Sequence, residues 1–252
     1  MQYRNCTDYY KRREAQNLPF FIFVAMENIN KEFLNYFTSF ISPARAGLFK
    51  QKANERTKYI TVVLEDIFQP QNASAVLRSC DCFGIQDIHV IENRNQLTID
   101  KEVVMGASKW LTIHKYNQAE NNSLEAIQNL KKSGYRIVAT SPHINDQTLP
   151  DFDLAKGKVA LVFGSELPGV SDIIMNEADE FLKIHMYGFT ESLNISVSAA
   201  IIMFHLTSQL RRLENLNWHL SEMEKDELIL TWIKKTVKQS DLIEERFWQT
   251  KK

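Results

Sequence analysis

The residues best suited to chemistry lie in three separated segments, and the first of these follows a predicted strand. It runs from Asn72 to Gly84 as a helix, with Arg78 almost two turns after Asn72, the predicted helix cap. An arginine within so apolar a stretch is costly to bury without a partner. Arg78 therefore either pairs with a carboxylate, Asp81 or Glu65, or meets a phosphate at the carboxyl end of the strand, where open α/β sheets bind ligands.

The second segment is the turn Phe163–Gly169, at the end of a predicted buried strand. Glycines frame this turn, and Gly164 would permit close approach of the backbone to a ligand. Glu166 lies within it and is either an ordinary turn residue or a functional carboxylate. The turn is therefore a candidate wall of a ligand site.

The third segment, Ile184–Asn194, leads from a predicted strand through a polar loop into the most apolar helix of the chain, which is predicted to be buried. Ser192 and Asn194 are both favoured N-cap residues. Capping accounts for one of them only, and it does not explain a polar loop in front of so apolar a helix. We therefore expect the polar residues of the three segments to converge at one edge of a sheet.

The elements that position these segments are predicted to alternate between strand and helix. Strands are predicted at residues 59–65, 87–92, 111–116, 135–140, 158–163 and 181–186, and helices at 72–83, 123–133, 170–178 and 194–213. This alternation indicates an α/β fold with a mostly parallel sheet and helices on both faces. Further helices are predicted before residue 59 and after residue 215, where Ser221 and Glu224 form a capping box.

The spacing of the glycines excludes the common nucleotide-binding loops. The chain has eight glycines, and no two of them are separated by a single residue. This removes the G-x-G-x-x-G dinucleotide loop, and neither a Walker loop nor a G-x-S-x-G nucleophile elbow is present. Any cofactor must therefore be held by other means.

Composition indicates an ordinary globular protein: 44% of the 252 residues are hydrophobic and 24% are charged. No apolar run approaches the roughly 18–20 residues that a membrane span needs. Cys6, Cys80 and Cys82 suggest neither a disulfide framework nor a metal site, so we expect the cytoplasm and no metal. Residues 1–25 contain a weak imitation of a signal peptide, and we interpret them as a poorly structured or artefactual extension.

A net charge of −1 means that any binding to nucleic acid must use a local basic patch. The stretch from Ser42 to Lys58 is the candidate, since its only acidic residue is Glu55. The alternative is a solvated helix face. The candidate RNA-binding residues are Arg45, Lys50, Lys52, Arg56 and Lys58.

Together the three segments match, in order, the patterns N-x5-R-x5-G, F-G-x-E-x-x-G and I-x-M-x-G-x-x-x-S-L-N-x-S. This combination resembles the motifs of the SpoU-type RNA ribose 2′-O-methyltransferases, a branch of the SPOUT superfamily. The resemblance covers residues 42–236, and the flanking helices look most like those of the tRNA guanosine-18 2′-O-methyltransferases. The pair Leu167-Pro168 is more reminiscent of other SpoU branches.

The resemblance implies a SPOUT methyltransferase domain at residues 59–214 with a C-terminal trefoil knot. It is flanked by N-terminal helices at 26–58, which contact RNA, and a C-terminal helical extension at 215–252. The knot would hold S-adenosyl-L-methionine largely by backbone groups, without a metal. The implied cofactor contacts are Thr140, Gly164, Ser165, Glu166, Ile184, Met186, Ser192 and Leu193.

The resemblance also implies a homodimer that methylates tRNA, with active sites drawn from both subunits. The implied catalytic residues are Arg78, Asn72, Glu166, Ser192 and Asn194. Because arginine side chains do not lose their proton in proteins, we expect Arg78 to bind a substrate phosphate that takes or relays the proton. The alternatives are an enzyme acting on rRNA and a non-catalytic RNA-binding protein on the same fold.

Overall fold

The computed structural model describes residues 20–141, 144, 146–166 and 168–251, with side chains from residue 29 onward. It divides into two compact units, whose described residues are 20–54 with 221–251 and 55–220. Most of the predicted extension at residues 1–25 lies outside the described residues, and the first helix begins at Phe20, before the predicted start at Met26. No helix of the described part has the length and apolar character needed to cross a membrane.

The larger unit is built on a parallel sheet of seven strands in the order β3-β2-β1-β6-β4-β7-β5. The strands are β1 Ile60–Glu65, β2 Asp87–Ile91, β3 Thr112–Tyr116, β4 Arg136–Thr140, β5 Gln147–Thr148, β6 Val159–Phe163 and β7 Glu180–Lys183. The prediction of an α/β fold with a mostly parallel sheet is confirmed. The two-residue strand β5 was not predicted.

Helices cover both faces of this sheet. They are α3 Pro70–Phe83, α4 Lys101–Val104, α5 Asn122–Lys132, α6 Asp172–Glu177 and α7 Ile195–Leu210. Side chains of β1 alternate between the two faces, so Val62 and Leu64 pack with α3 and α7, whereas Val63 packs with α5 and α6. The central strands β1 and β6 are buried along their whole length on both sides, which explains their largely apolar runs.

One predicted helix start needs correction, and another is confirmed. Pro70 occupies the first position of α3, and Gln69 is its N-cap, so Asn72 lies inside the first turn rather than at the cap. Asn194 does cap α7, because its Oδ1 accepts a hydrogen bond from the backbone N of Ser196 at 2.8 Å. At the other end of α3, Gly84 stops the helix as predicted, with a left-handed φ of +80°.

The apolar pattern of residues 194–213 predicted a buried helix, and this is wrong for one side of α7. Val197, Ile201 and Phe204 follow the spacing of one helical face, and all three are exposed to solvent. Buried residues such as Met203 and Leu206 line the opposite side, against the sheet and α3. An apolar stripe is therefore left on the surface of the larger unit.

The smaller unit packs N-terminal and C-terminal helices together around aromatic side chains. Its helices are α1 Phe20–Thr38, α2 Pro43–Asn54, α8 Glu222–Lys234 and α9 Ser240–Gln249. The ring of Phe33 lies 4.8 Å from that of Phe247, and Phe49 lies 5.7 Å from the buried Trp232. Ser221 and Glu224 form the predicted capping box at the start of α8.

Candidate active site

Two of the three segments meet where the central strands β1 and β6 lie side by side. The segment after β1 forms α3 on one face of the sheet, and the segment after β6 leads to α6 on the other face. A crevice opens at such a switch point, outside the carboxyl ends of the strands, and this is where open α/β sheets bind ligands.

Glu166, after β6, holds the turn that connects β1 to α3. Its Oε2 accepts a hydrogen bond from the backbone N of Phe68 at 3.3 Å, and its Oε1 accepts one from the backbone N of Gln69 at 3.2 Å. Oε1 also accepts a hydrogen bond from Nδ2 of Asn72 at 2.9 Å. The carboxylate therefore joins two chain segments about a hundred residues apart.

The same contacts decide the charge of Glu166. Partial burial raises the pKa of the carboxyl, but hydrogen bonds from Asn72 and from the backbone of Glu166, Gln69 and Phe68 outweigh burial, so the pKa lies below its usual range. The carboxylate also faces the N-terminal end of α3, where a negative charge is favoured. Glu166 is thus an acceptor fixed in place rather than a proton donor at neutral pH.

Asn72 connects this carboxylate to the third segment. Its Nδ2 also donates a hydrogen bond to Oε1 of Gln69 at 3.0 Å, and its Oδ1 accepts one from Nδ2 of Asn194 at 3.1 Å. Asn194 therefore caps α7 and joins the cluster with the same side chain. We call Asn72, Glu166 and Asn194 the polar cluster; its hydrogen-bonding groups hold the three segments together.

Gly164 is required by the packing of its own loop. A Cβ at this position would lie 2.1 Å from the carbonyl C of Gly169 and 2.2 Å from the backbone N of Val170. The loop closes on itself through the hydrogen bonds Ser165 N to Gly169 O at 2.9 Å and Gly169 N to Ser165 O at 3.0 Å. The close approach seen here is that of the loop's own backbone, and approach of a ligand to Gly164 stays a prediction.

Three of the expected cofactor residues lie at the carboxyl ends of neighbouring strands. Thr140 ends β4, Gly164 follows β6 and Ile184 follows β7, and β4 lies between the other two strands. Thr140 donates a hydrogen bond from Oγ1 to the carbonyl O of Val162 at 2.9 Å, so its hydroxyl is engaged within the sheet.

The loop after β7 provides free backbone groups. The backbone of residues 185–193 makes no hydrogen bond with other described residues. Met186 is half-buried, while Ser192 and Leu193 are exposed. Backbone donors and acceptors beyond the carboxyl end of β7, with apolar side chains nearby, fit a ligand held mainly by main-chain groups.

Arg78 and Ser192 are not part of the polar cluster. Arg78 is exposed, and its Nη1 lies 3.5 Å from the carbonyl O of Val103. The carboxylates offered as structural partners for Arg78 are engaged elsewhere: Asp81 pairs with Arg56, and Glu65 accepts hydrogen bonds from Ser123 and Ser171. The guanidinium of Arg78 is therefore presented to solvent.

The three residues of the polar cluster all lie within one family domain. The model of the SpoU rRNA methylase family matches residues 59–204, which span the sheet, the polar cluster and most of α7. The chain belongs to this family.

Similar proteins match more of the chain than the SpoU domain alone. The tRNA (guanosine(18)-2′-O)-methyltransferase of Borreliella burgdorferi is 41% identical over 82% of this chain and 92% of its own length. The enzyme of the same description from Thermus thermophilus is 32% identical over 66% of this chain and 83% of its own length. A solved TrmH/SpoU tRNA modifying enzyme from Aquifex aeolicus has a TM-score of 0.68 at 27% identity, covering 78% of this chain and 98% of that one.

The basic stretch of this SpoU protein is only partly available to RNA. Arg56 is buried and forms an ion pair with Asp81, which argues against its prediction as an RNA-binding residue. Lys58 is half-buried and also forms an ion pair within the protein, with its Nζ 3.7 Å from Oδ2 of Asp87. The remaining candidates are exposed on α2: Arg45, Lys50 and Lys52.

We expect Arg56→Ala to lower the free energy of unfolding by about 3 kcal/mol, because it leaves Asp81 without its partner in a largely buried pair. Chemical denaturation measures this value. Arg45→Ala is the matched control, since Arg45 is exposed, and its stability should stay within about 0.5 kcal/mol of the wild type. A stable Arg56→Ala protein with weakened RNA binding would restore the original assignment.

The turn between β1 and α3 contributes to the site, and this was not predicted from the sequence. Gln69 caps α3 and takes part in the cluster through both its backbone and its side chain, and Phe68 stands exposed beside it. Pro70 was the available signal, because proline favours the first position of a helix and so points to Gln69 as the cap.

Proposed function

We propose that this SpoU family member transfers a methyl group from S-adenosyl-L-methionine to a ribose 2′-hydroxyl of tRNA, at guanosine 18. The similarity to tRNA (guanosine(18)-2′-O)-methyltransferases over most of both chains supports the substrate. The single observation that carries the proposal is the polar cluster, which joins the three motif segments beside the switch point of the sheet.

S-adenosyl-L-methionine supplies an electrophilic methyl group when bound. The residues proposed to hold it surround the ends of β4, β6 and β7 and use mostly backbone groups, with Ile184, Met186 and Leu193 as apolar walls. Ser165 and Ser192 lie on the same two loops. The trefoil knot belongs to this proposal: the segments around Gly164 and 184–194 would thread through each other to form the slot.

The polar cluster positions the reactants and does not react. Both hydrogens of the Asn72 amide and both oxygens of Glu166 are engaged within the protein. Displacement at a methyl carbon needs the attacking oxygen aligned with the leaving sulfur, and fixed loops provide this alignment. Asn72, Glu166 and Asn194 are thus positioning residues for the loops that contact RNA and cofactor.

Arg78 is the proposed catalytic residue because its guanidinium is exposed and matched to phosphate. A planar fork of donors binds a phosphate in a bidentate manner and fixes the adjoining ribose. Arginine side chains do not lose their proton in proteins, so the phosphate that Arg78 holds accepts or relays the proton of the 2′-hydroxyl.

We also propose that the protein acts as a homodimer through the α7 stripe, formed by Val197, Ile201 and Phe204. The stripe is apolar, exposed and spaced as one helical face. The ring of Phe83, at the end of α3, lies 5.9 Å from that of Phe204 and extends the apolar surface towards the helix that carries Arg78. A partner on the stripe would therefore border the Arg78 surface.

Phe204→Asp is expected to convert this dimer to a monomer, because it places a charge in an apolar interface. Light scattering after size-exclusion chromatography gives the mass. Leu242→Asp is the matched control, since Leu242 is an exposed apolar residue on α9 outside the stripe, and its mass should equal that of the wild type. A monomeric wild type would refute the dimer.

Arg45, Lys50 and Lys52 on α2 are the proposed phosphate contacts of the smaller unit. Such contacts position RNA without reading its sequence, and each makes binding more sensitive to salt. Two unpaired cysteines in the described part, Cys80 and Cys82, support a reducing compartment, and we infer the cytoplasm.

The test is incubation of the purified protein with radiolabelled S-adenosyl-L-methionine and either total tRNA or rRNA, followed by mapping of the labelled ribose. Label at the 2′-oxygen of guanosine 18 supports the proposal. Label in rRNA alone would favour the substrate that the family description names. RNA binding without transfer would favour a non-catalytic role.

A further inference from the structure

Three exposed aromatic side chains stand on the two loops that the polar cluster joins. Phe68 is 70% exposed and Tyr187 93% exposed, while Phe189 is fully exposed. Among described aromatic residues, the next most exposed is Phe204, at 61%, on the α7 stripe. Side chains of this type normally bury 150–250 Å² each, so their exposure together beside a site indicates a binding surface.

Phe68 is held rigidly although its ring is in solvent. Its backbone N donates a hydrogen bond to Glu166 at 3.3 Å, and the adjacent backbone N of Gln69 does the same at 3.2 Å. On its other side Ile67 is buried in the core. The turn therefore fixes the backbone of Phe68, and little conformational entropy is lost when a ligand contacts the ring.

Tyr187 and Phe189 lie on the loop between β7 and α7. This loop ends at Asn194, whose Nδ2 donates to Asn72 at 3.1 Å, on the helix that follows the Phe68 turn. The ring of Tyr187 packs edge-on against His185, with centroids 4.5 Å apart. Both aromatic loops are thus anchored to the same polar cluster.

The proposed reaction creates a need for such a surface. A ribose 2′-hydroxyl in folded RNA reaches an enclosed methyl donor only when its nucleotide is drawn away from its neighbours, which costs base stacking. Proteins that read unpaired RNA replace the lost stacking with exposed aromatic rings. Arg78, on the same helix as Asn72, is exposed and available to bind a phosphate. The guanidinium thus suits the phosphate of a nucleotide, and the aromatic rings suit its base.

We propose that Phe68, together with Tyr187 and Phe189, forms a stacking surface for the unstacked bases of the RNA substrate next to the methylated ribose. This inference rests on the proposed function and adds the part of the substrate that these residues contact. The surface is specific for flat rings and tolerant of base identity, because every base presents a π face.

The experiment compares Phe68→Ala, Phe68→Leu and Phe68→Tyr by equilibrium binding of tRNA and by the KM for tRNA. Loss of one stacked base is worth about 5- to 140-fold in affinity. We expect Phe68→Ala and Phe68→Leu to weaken binding within this range, and Phe68→Tyr to remain close to the wild type. Leu124→Ala, at an exposed apolar residue on α5, is the matched control and should not change binding.

A second readout follows the ring itself. In Phe68→Trp, saturating tRNA should quench the tryptophan emission beyond the change seen in the wild type, as stacking on a base requires. Phe189→Ala should weaken tRNA binding without changing the Kd for S-adenosyl-L-methionine, measured by calorimetry.

Several outcomes would overturn the inference. Phe68→Ala binding tRNA within twofold of the wild type would remove the stacking role. A raised Kd for S-adenosyl-L-methionine in Phe68→Ala would assign the ring to the cofactor, and loss of the dimer would assign it to a second copy of the chain. Because binding is measured directly, weaker tRNA binding would still support the surface in a protein that transferred no methyl group.

Discussion

Arg78→Ala is expected to reduce kcat for methyl transfer to tRNA by about 100- to 1,000-fold, the cost of removing a charged donor aimed at the reacting group. The same variant should unfold at the temperature of the wild type. Arg78 is exposed, and its weak contact with Val103 at 3.5 Å supports little of the fold. A single-turnover assay at saturating S-adenosyl-L-methionine measures the chemical step, and circular dichroism measures unfolding.

Two further variants separate charge from geometry. Arg78→Lys keeps the charge and loses the bidentate fork, so its rate should lie between those of the wild type and Arg78→Ala. Arg212→Ala removes another exposed arginine beyond the end of α7 and should leave the rate unchanged. If Arg78→Ala retained turnover within threefold of the wild type, the catalytic assignment of this arginine would be refuted.

Convergence of the motif segments could be predicted because parallel strands bring their carboxyl ends to one edge. Asn72 and Glu166 follow neighbouring strands and do meet, and Asn194 joins them through the loop after β7. Which arginine forms an ion pair with Asp81 could not be predicted. Asp81 lies three residues after Arg78 on one helix, a spacing that favours local pairing, yet the tertiary fold brings Arg56 to it instead.

Which side of α7 is exposed could not be predicted from the sequence, for a related reason. A helix that is apolar all round carries no polar face to mark the side turned to solvent, so Val197 and Met203 look equivalent in the sequence. Only packing against the sheet and α3 distinguishes them. Likewise, the two residues of β5 are too few for a periodic pattern, and their strand conformation comes from pairing with β7.

Gly164→Ala is expected to reduce the rate of methyl transfer by about 100-fold and to lower the free energy of unfolding by about 3 kcal/mol. The new Cβ would lie 2.1–2.2 Å from backbone atoms of Gly169 and Val170, which have no side-chain freedom with which to retreat. The loop must open, and Glu166, two residues on, moves with it. Glu166 would then lose its hydrogen bonds to Gln69 and Asn72. Since a displacement of about 1 Å costs roughly 100-fold in rate, the folded variant should also be slow.

Two other glycines test whether this effect is local. A Cβ at Gly47 on α2 or at Gly188 in the loop after β7 would meet no atom within 4 Å. Gly47→Ala, inside a helix, should raise the free energy of unfolding by about 0.5–1 kcal/mol, and Gly188→Ala should leave it unchanged. Denaturant titrations measure the free energy of unfolding, and calorimetry measures the Kd for S-adenosyl-L-methionine. Normal cofactor binding and turnover in Gly164→Ala would mean that the Gly164–Gly169 loop does not position Glu166, and the link between this glycine and the polar cluster would be broken.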